Sequence, residues 1–178
     1  MSEAQLAPET SSTGVTVRYA EERDLARITA IYNHYIIETP VTFDLEPVTL
    51  ANRREWLGQF STTGSHRLFV AEENGIVAGY AGSHQFRPRK AYDTTIEATV
   101  YCAPEATGRG IGTLLYTAVF DAVRGEDLHL AVAGITVPNE ASIALHERFG
   151  FTLAGLMHQI GRKFGRYWDV AWYEKPLS

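Results

Sequence analysis

The sequence has 178 residues, of which 45% are hydrophobic and 21% charged, and its formal net charge at pH 7 is -5. This length suits one domain with a sizeable core, and a negative charge without long runs of Lys or Arg argues against nucleic acid or an anionic membrane as partner. The single cysteine, Cys102, excludes an intramolecular disulfide and a multi-cysteine zinc site and suits a reducing compartment. We therefore expect a cytoplasmic protein with a small-molecule partner.

The N-terminal stretch MSEAQLAPETSSTG has neither a basic start nor an apolar core, and no apolar run in the chain reaches the length that spans a bilayer. We expect residues 1–14 to form a disordered tail, followed by a single domain over residues 15–178.

The first elements of that domain are a strand and two helices. VTVRYA alternates like a strand, and apolar residues then recur at helical spacing until Thr39-Pro40 interrupts them. After a loop, Thr49 is a suitable cap for a second helix. The apolar side of that helix comprises Leu50, Trp56, Leu57 and Phe60.

A hairpin and a further strand come next. Two β-rich runs flank Asn74-Gly75, the pair that best tolerates the positive φ angles of a tight turn, so we expect an antiparallel pair. The run TTIEATVYC alternates as well, and its polar face carries one carboxylate, Glu97.

The second half begins with a glycine-rich stretch, ATGRGIGT. Apolar residues from Ile111 to Val123 then form a helical stripe that Gly125 ends. LHLAVAGITV is a strand, and PNEASIALHERFG is a short helix that starts at Asn139 and stops at Gly150. FTLAGLMHQIGRK and RYWDVAWYEK are two more strands. The order β-α-α-β-β-β-α-β-α-β-β predicts a mixed α/β fold without repeats.

The glycine stretch suggests an anion site at a helix start, because the backbone N–H groups of residues 108–113 would converge there and Arg109 would add charge. A P-loop needs a Lys followed by Ser or Thr at the end of its glycine frame, and GRGIGTLL has neither. A dinucleotide fingerprint needs a glycine where Thr113 stands. On spacing alone, a phosphate site and a plain turn into a core helix stay equally open.

The neighbouring motifs decide between these two. TVYCAPEATGRGIGTLL followed by PNEASIALHERFGF resembles the acetyl-CoA signature of the GNAT N-acetyltransferases, and the resemblance runs from Val15 to Glu174. YNHYIIETPVTFD, FRPRKAYDTTIEATVY, LHERFGF and GRKFGRYWDV resemble the phosphinothricin and methionine sulfoximine acetyltransferase branch. The resemblance implies the GNAT fold, a mixed and mostly antiparallel central sheet flanked by helices.

Three positions depart from the family pattern. Thr107 stands where the superfamily usually has Gln or Arg, and Glu105-Ala106 replaces a more polar or basic pair. One side-chain contact to CoA therefore lacks its usual residue, whereas the backbone cradle stays intact.

Acetyl-CoA is the co-substrate that the resemblance implies. Its pyrophosphate would rest on the loop residues Gly108, Arg109, Gly110, Ile111, Gly112 and Thr113. Val100 and Tyr101 would pair their backbone with the pantetheine arm. Asn139, Ser142 and His146 share one helix face, which would be directed towards the cofactor.

Acetyl transfer requires the free lone pair of an amine, but an amine with a pKa of about 10 is mostly protonated at neutral pH. Glu97 aligns with the family's proposed base; the alternative is a carboxylate that only faces solvent or pairs with an arginine. His146 stands near the position where many GNAT enzymes use a tyrosine to protonate the leaving thiolate. For His146, thiolate protonation, relay of the amine's proton and a structural role stay open.

For the acceptor, FRPRKAYD offers Arg87 and Arg89 with Tyr92 nearby, and guanidinium groups suit a carboxylate or phosphinate. The resemblance implies that these residues, with Phe43, form a pocket for an amine of the phosphinothricin or methionine sulfoximine type, completed in a homodimer. A solvated basic turn is the alternative.

Other chemistry finds less support in the sequence. The remaining histidines lack ligand spacing, so we expect no metal. Cys102 has no obvious base beside it, so direct attack in a ternary complex is simpler than an acyl-enzyme. Acetylation of another metabolite, polyamine or peptide amine stays open, although the basic RPRK argues against a polyamine. A non-catalytic CoA-binding module also stays open as an alternative, although the presence of Glu97 and His146 argues against it.

Overall fold

The computed structural model describes residues 14–177, so the predicted tail lies outside the described residues except for Gly14. Its strands are β1 (Val15–Tyr19), β2 (Leu68–Glu73), β3 (Ile76–Gln85), β4 (Thr95–Cys102), β5 (Leu130–Val137), β6 (Thr152–Lys163) and β7 (Arg166–Pro176). They form one sheet in the order β1-β2-β3-β4-β5-β7-β6, and every neighbouring pair is antiparallel except β4 with β5. The predicted mixed, mostly antiparallel sheet is thus confirmed.

Four helices accompany the sheet: α1 (Leu25–Glu38), α2 (Leu50–Leu57), α3 (Ile111–Ala122) and α4 (Glu140–Arg148). Thr49 caps α2 as predicted, since its hydroxyl accepts the N–H of Asn52 at 3.1 Å. The prediction that Phe60 belongs to this helix was wrong, because the chain tightens into a turn in which the N–H of Phe60 bonds the carbonyl of Leu57. Three short 3₁₀ segments, Glu22–Asp24, Lys90–Tyr92 and Pro104–Ala106, were not predicted.

The hairpin predicted from Asn74-Gly75 is confirmed. Both residues have positive φ, 51° and 80°, and they join β2 to β3 with Glu73 opposite Ile76. The local turn chemistry therefore determined this part of the topology.

Helices pack on both faces of the sheet. Successive residues of β3 point to opposite faces, and neighbouring residues therefore contact different helices. A methyl group at Gly79 would lie 3.1 Å from Ile111 of α3, whereas the next residue, Tyr80, points the other way and meets the ring of Trp56 on α2 at 6.0 Å. The same alternation along β4 places Glu97 and Tyr101 on the face that α1 and α2 cover.

A gap opens in the middle of the sheet between the two parallel strands. β4 and β5 pair only where Thr95–Glu97 meets residues 130–132. Beyond Glu97, β4 stays paired with β3 as far as Cys102, while β5 stays paired with β7 as far as Val137. The facing edges of β4 and β5 therefore diverge, and they leave backbone groups available to a ligand.

Candidate active site

A cavity of about 540 Å³ occupies the gap, which is a volume typical of small-molecule sites. It is bounded by β4, β5, the glycine loop and one face of α4. Most predicted cofactor and catalytic residues line it, namely Glu97, Val100, Tyr101, Gly108, Gly110, Gly112, Thr113, Asn139, Ser142 and His146.

The glycine loop presents backbone donors at the start of α3. Gly110 precedes the helix with φ of 80°, and the first helical hydrogen bond runs from Leu114 N–H to the carbonyl of Gly110 at 3.1 Å. The N–H groups of residues 111–113 therefore have no carbonyl partner inside the helix. Gly112 allows Leu145 of α4 to pack closely on the start of α3, since an alanine Cβ there would lie 2.9 Å from Leu145 Cδ2. This geometry suits an anion at the positive end of the helix dipole.

Two predicted loop residues keep their side chains away from the cavity. The Arg109 guanidinium forms an ion pair with Glu73, and Ile111 is buried in the core. Only the backbone of these two residues is placed to hold an anion. The cation that lines the cavity is instead Arg148, whose Nη1 lies 3.5 Å from Thr113 Oγ1. Sequence reasoning missed Arg148, which lies one helical turn beyond Leu145 on the cavity face of α4.

Tyr35 was also missed and helps to hold the edge of β4 that faces the gap. Its hydroxyl donates to the carbonyl of Cys102 at 2.7 Å, and its ring packs edge-on against Tyr101. Val100 and Tyr101 lie on the part of β4 that β5 no longer pairs. An extended ligand with amide groups can therefore take the position of a missing strand there.

Glu97 lies at the point where the gap begins. Burial raises the pKa of the Glu97 carboxyl, and the positive charge of Arg87 partly counteracts this rise. Its cross-strand neighbour, His84, bonds Thr99 Oγ1 at 2.8 Å, and burial together with the charges of His66 and Arg53 lowers the pKa of His84 to about 4. His84 is therefore neutral at pH 7, and it places no positive charge beside Glu97 that would lower the pKa of that carboxyl.

His146 is buried and uses both ring nitrogens. The carbonyl of Ser142 can only accept, so Nδ1 carries the proton and donates to it at 2.7 Å. Nε2 is then the acceptor for the hydroxyl of Tyr116 at 2.9 Å. Burial lowers the pKa of His146, which the Ser142 carbonyl partly counteracts. The imidazole is thus neutral, with its single proton directed into α4.

Tyr116 is the partner that sequence reasoning missed. It is fully buried on α3 and also lines the cavity. The only local signal was a tyrosine next to the apolar stripe of the helix, and its contact with His146 joins residues on two different helices.

None of the four predicted acceptor residues lines the cavity, and three of them lie on the segment between β3 and β4, near the Glu97 end. Arg87 is exposed, with its guanidinium 5.0 Å from the Phe86 ring, and its charge acts on Glu97. Arg89 and Tyr92 belong to the exposed turn after β3, where the Tyr92 ring meets Phe86 edge-on. Phe43 lies against Gly161 of β6, away from the three others.

Cys102 lines the cavity, but burial raises the pKa of its thiol to about 11, partly offset by the N–H of Gly112. The thiol is therefore protonated at neutral pH and a poor nucleophile. Within residues 14–177, no group of three or more His, Cys, Asp and Glu side chains could hold a metal ion. The same residues include no helix long and apolar enough to cross a membrane.

The fold and the cavity are those of an acyl-CoA-dependent transferase, and comparison with known proteins gives the family. Residues 17–172 match the acetyltransferase (GNAT) domain, and the chain belongs to this family.

Two named relatives are acetyltransferases of phosphinothricin and of methionine sulfoximine and methionine sulfone. The phosphinothricin N-acetyltransferase of Streptomyces coelicolor is 56% identical over 165 residues, which cover 92% of this chain and 96% of that protein. The L-methionine sulfoximine/L-methionine sulfone acetyltransferase of Salmonella typhimurium is 37% identical, covering 92% and 95%.

A solved structure of a GNAT superfamily phosphinothricin acetyltransferase from Sinorhizobium meliloti, in complex with acetyl-CoA, matches with a TM-score of 0.87 and 34% identity, covering 93% of this chain and 89% of that one. The family that the sequence motifs indicated is confirmed. The protein is an N-acetyltransferase that uses acetyl-CoA as its co-substrate.

Proposed function

We propose that this enzyme acetylates the free amine of a small amino-acid-like acceptor of the phosphinothricin or methionine sulfoximine type. The observation that carries the proposal is the position of Glu97, at the end of the cavity and within electrostatic reach of Arg87. A carboxylate suits the amine of such an acceptor, and a guanidinium suits its acidic group. The names of the relatives from Streptomyces coelicolor and Salmonella typhimurium support the same substrate class.

In this proposal the other end of the cavity holds the cofactor. The N–H groups at the start of α3 would bind the pyrophosphate. Arg148 would supply the positive charge there, because the Arg109 guanidinium is paired with Glu73. The pantetheine arm would lie along Val100 and Tyr101 on the free edge of β4. The thioester would then reach the region between Glu97 and His146.

The chemistry is a direct transfer in a ternary complex. Glu97 takes a proton from the acceptor ammonium, directly or through a water, and the freed amine nitrogen attacks the thioester carbon. The new C–N bond forms as the C–S bond breaks. The second proton that the nitrogen then loses balances the one that the CoA sulfur gains, and Glu97 releases the first proton to solvent. The protonated state of the Cys102 thiol supports this path over an acyl-enzyme.

We propose that His146 is a positioning residue, because its only proton is directed to Ser142 and its lone pair is used by Tyr116. His146→Gln preserves an acceptor for the Tyr116 hydroxyl but cannot move a proton, so kcat should fall by less than about tenfold. Steady-state kinetics would measure this. A loss of about 10² or more would instead show proton transfer by His146.

The experiment that tests the function is the release of CoA thiol from acetyl-CoA with a panel of amines. The panel includes phosphinothricin, methionine sulfoximine, ordinary amino acids, a polyamine and a short peptide. The proposal expects the highest kcat/KM for the acidic amino-acid analogues. Turnover of other amines alone would contradict the substrate class, and acetyl-CoA binding without any turnover would indicate a binding module.

We further propose that two copies of the chain associate through the β6–β7 hairpin. β6 is an edge strand, and the hairpin carries large apolar side chains that are each at least 43% exposed: Leu153, Leu156, Met157, Ile160, Phe164 and Tyr167. Exposed apolar side chains concentrated on one hairpin mark an association surface, and a second copy would also cover the free edge of β6.

Sedimentation at micromolar concentration should then give twice the mass of one chain. Ile160→Asp should yield monomers, because it would bury an unpaired charge in the interface. Ile76→Asp is the matched control, since Ile76 is 61% exposed at the β2–β3 turn, outside the hairpin. A wild-type monomer, or an equal response to both substitutions, would rule out this surface.

A further inference from the structure

The loop between α1 and α2, residues 40–49, is anchored to α1 at both of its ends. The Thr39 hydroxyl donates to the Tyr35 carbonyl at 2.8 Å, and the Asn33 side chain exchanges hydrogen bonds with the backbone of Val48 at 3.0 and 2.8 Å. Between these anchors, Val41 lines the cavity together with Glu97. The middle of the loop therefore contributes to the cavity wall.

Lys163, the last residue of β6, reaches the middle of this loop. Its side chain is buried, with 4% exposure, and Nζ donates to the Thr42 carbonyl at 2.7 Å. Burial lowers the pKa of Lys163, and the negative charge of Asp44 counteracts this effect. A buried ammonium that lost its carbonyl acceptor would bear the full desolvation cost, so the contact holds the loop strongly.

The contact continues from the loop into α1. A carboxylate can only accept, so the Tyr32 hydroxyl donates to Asp44 Oδ2 at 2.7 Å, and the Thr42 hydroxyl donates to the Tyr32 oxygen at 2.9 Å. The Tyr32 ring meets the Tyr101 ring edge-on at 5.3 Å, and the Tyr101 hydroxyl lies within electrostatic reach of Glu97. Lys163 is thus connected to the cavity wall through the loop.

Gly161 provides a second contact on the same strand. The Phe43 ring occupies the space beside Gly161 where a side chain would otherwise lie, and an alanine methyl there would overlap the ring. β6 therefore holds the loop at two neighbouring points, by a hydrogen bond at Thr42 and by packing at Phe43.

We propose that Lys163 is a positioning residue for the acceptor: with Gly161, against which Phe43 packs, it holds the middle of loop 40–49 so that Val41 keeps its place in the cavity wall. The inference rests on the proposed function, because it assigns that part of the cavity to the amine substrate. Lys163 acts through the loop, and the cofactor cradle on α3 and α4 lies on other elements. Its loss should weaken acceptor binding and leave acetyl-CoA binding intact.

Two substitutions test this by independent routes. Lys163→Met retains an unbranched apolar stem and removes the donor, whereas Gly161→Ala displaces Phe43. Each should raise the KM for the preferred amine about tenfold while the KM for acetyl-CoA stays within about twofold of wild type. The matched controls are Lys175→Met on β7 and Gly155→Ala on β6, where an added methyl meets no described atom within 4 Å. Both controls should behave like wild type.

Hydrogen exchange separates this inference from the proposed function. In the absence of substrate, the backbone amides of Val41 and Asp44, which donate to the Thr39 and Thr42 hydroxyls, should exchange about tenfold faster in Lys163→Met than in wild type or Lys175→Met. Unchanged exchange, or equal rises in both KM values for Lys163→Met and Gly161→Ala, would overturn the inference. If wild type acetylates none of the amino-acid amines, the proposed function fails, and the exchange rates alone still decide whether Lys163 holds the loop.

Discussion

Glu97→Gln is expected to lower kcat/KM for the amine by about 10² to 10⁴ at neutral pH, because the variant keeps the shape of the side chain but cannot accept a proton. Acetyl-CoA binding should be unchanged, since the cradle at the start of α3 is separate from Glu97. The measurement is CoA thiol release over a range of both substrates. Glu147→Gln is a matched control, because Glu147 is exposed on α4 and does not line the cavity. Unchanged turnover in Glu97→Gln would remove this residue from the mechanism.

The pH dependence provides a second test of Glu97. The base must be ionised, and burial raises its pKa above the usual value for a glutamate. Activity should therefore disappear at a higher pH, as the pH falls, than an ordinary glutamate would predict. Arg87→Gln removes the charge that lowers this pKa, so the acidic limb of the kcat profile should shift to still higher pH. A limb that moved to lower pH would contradict the placement of Arg87 beside Glu97.

Much of the fold follows from local signals in the sequence. The hairpin at Asn74-Gly75 and the cap at Thr49 were predictable because turn and cap chemistry act over a few residues. The apolar character of Phe60 was correctly recognised, and its ring packs on Trp56 and His84. It was wrongly assigned to a helix, because apolar spacing persists through the turn that follows α2.

The gap between β4 and β5 could not be predicted in this way. It depends on which neighbours the two strands keep beyond Glu97, and those neighbours, β3 and β7, come from distant parts of the chain. The motif resemblance indicated the identity of the cofactor. The physical reason that a site exists for it is the divergence of the two parallel strands.

The site shows the same division between local and distant information. The glycine loop and Glu97 are recognisable because their chemistry lies within one segment. Arg109 was expected to contribute its charge, but its side chain pairs with Glu73 on β2. Tyr116 was missed because its place in the site depends on a hydrogen bond to His146, which lies on a different helix. Sequence reasoning located the segments, and long-range contacts determined which side chains face the cavity.

Gly110→Ala is expected to raise the KM for acetyl-CoA about 10- to 100-fold, the equivalent of one charge-assisted hydrogen bond of about 1.5–3 kcal/mol. Gly110 has φ of 80° and lines the cavity, and among the described residues nothing lies within 4 Å of an added methyl. The methyl would therefore project into the open space beside the cradle, or the backbone would turn its donors away. Initial-rate kinetics and direct titration with CoA would both measure the loss.

Gly75→Ala separates this effect from backbone strain. Gly75 also has φ of 80° and open space around an added methyl, but it lies in the β2–β3 turn. A left-handed alanine costs about 1–2 kcal/mol at either position, so both variants should unfold at similarly reduced denaturant concentrations. Only Gly110→Ala should lose affinity for CoA. If both variants lost stability and neither lost affinity, the pyrophosphate would not rest on this loop, because a cradle made of backbone N–H groups has no side chain to compensate for a blocked approach.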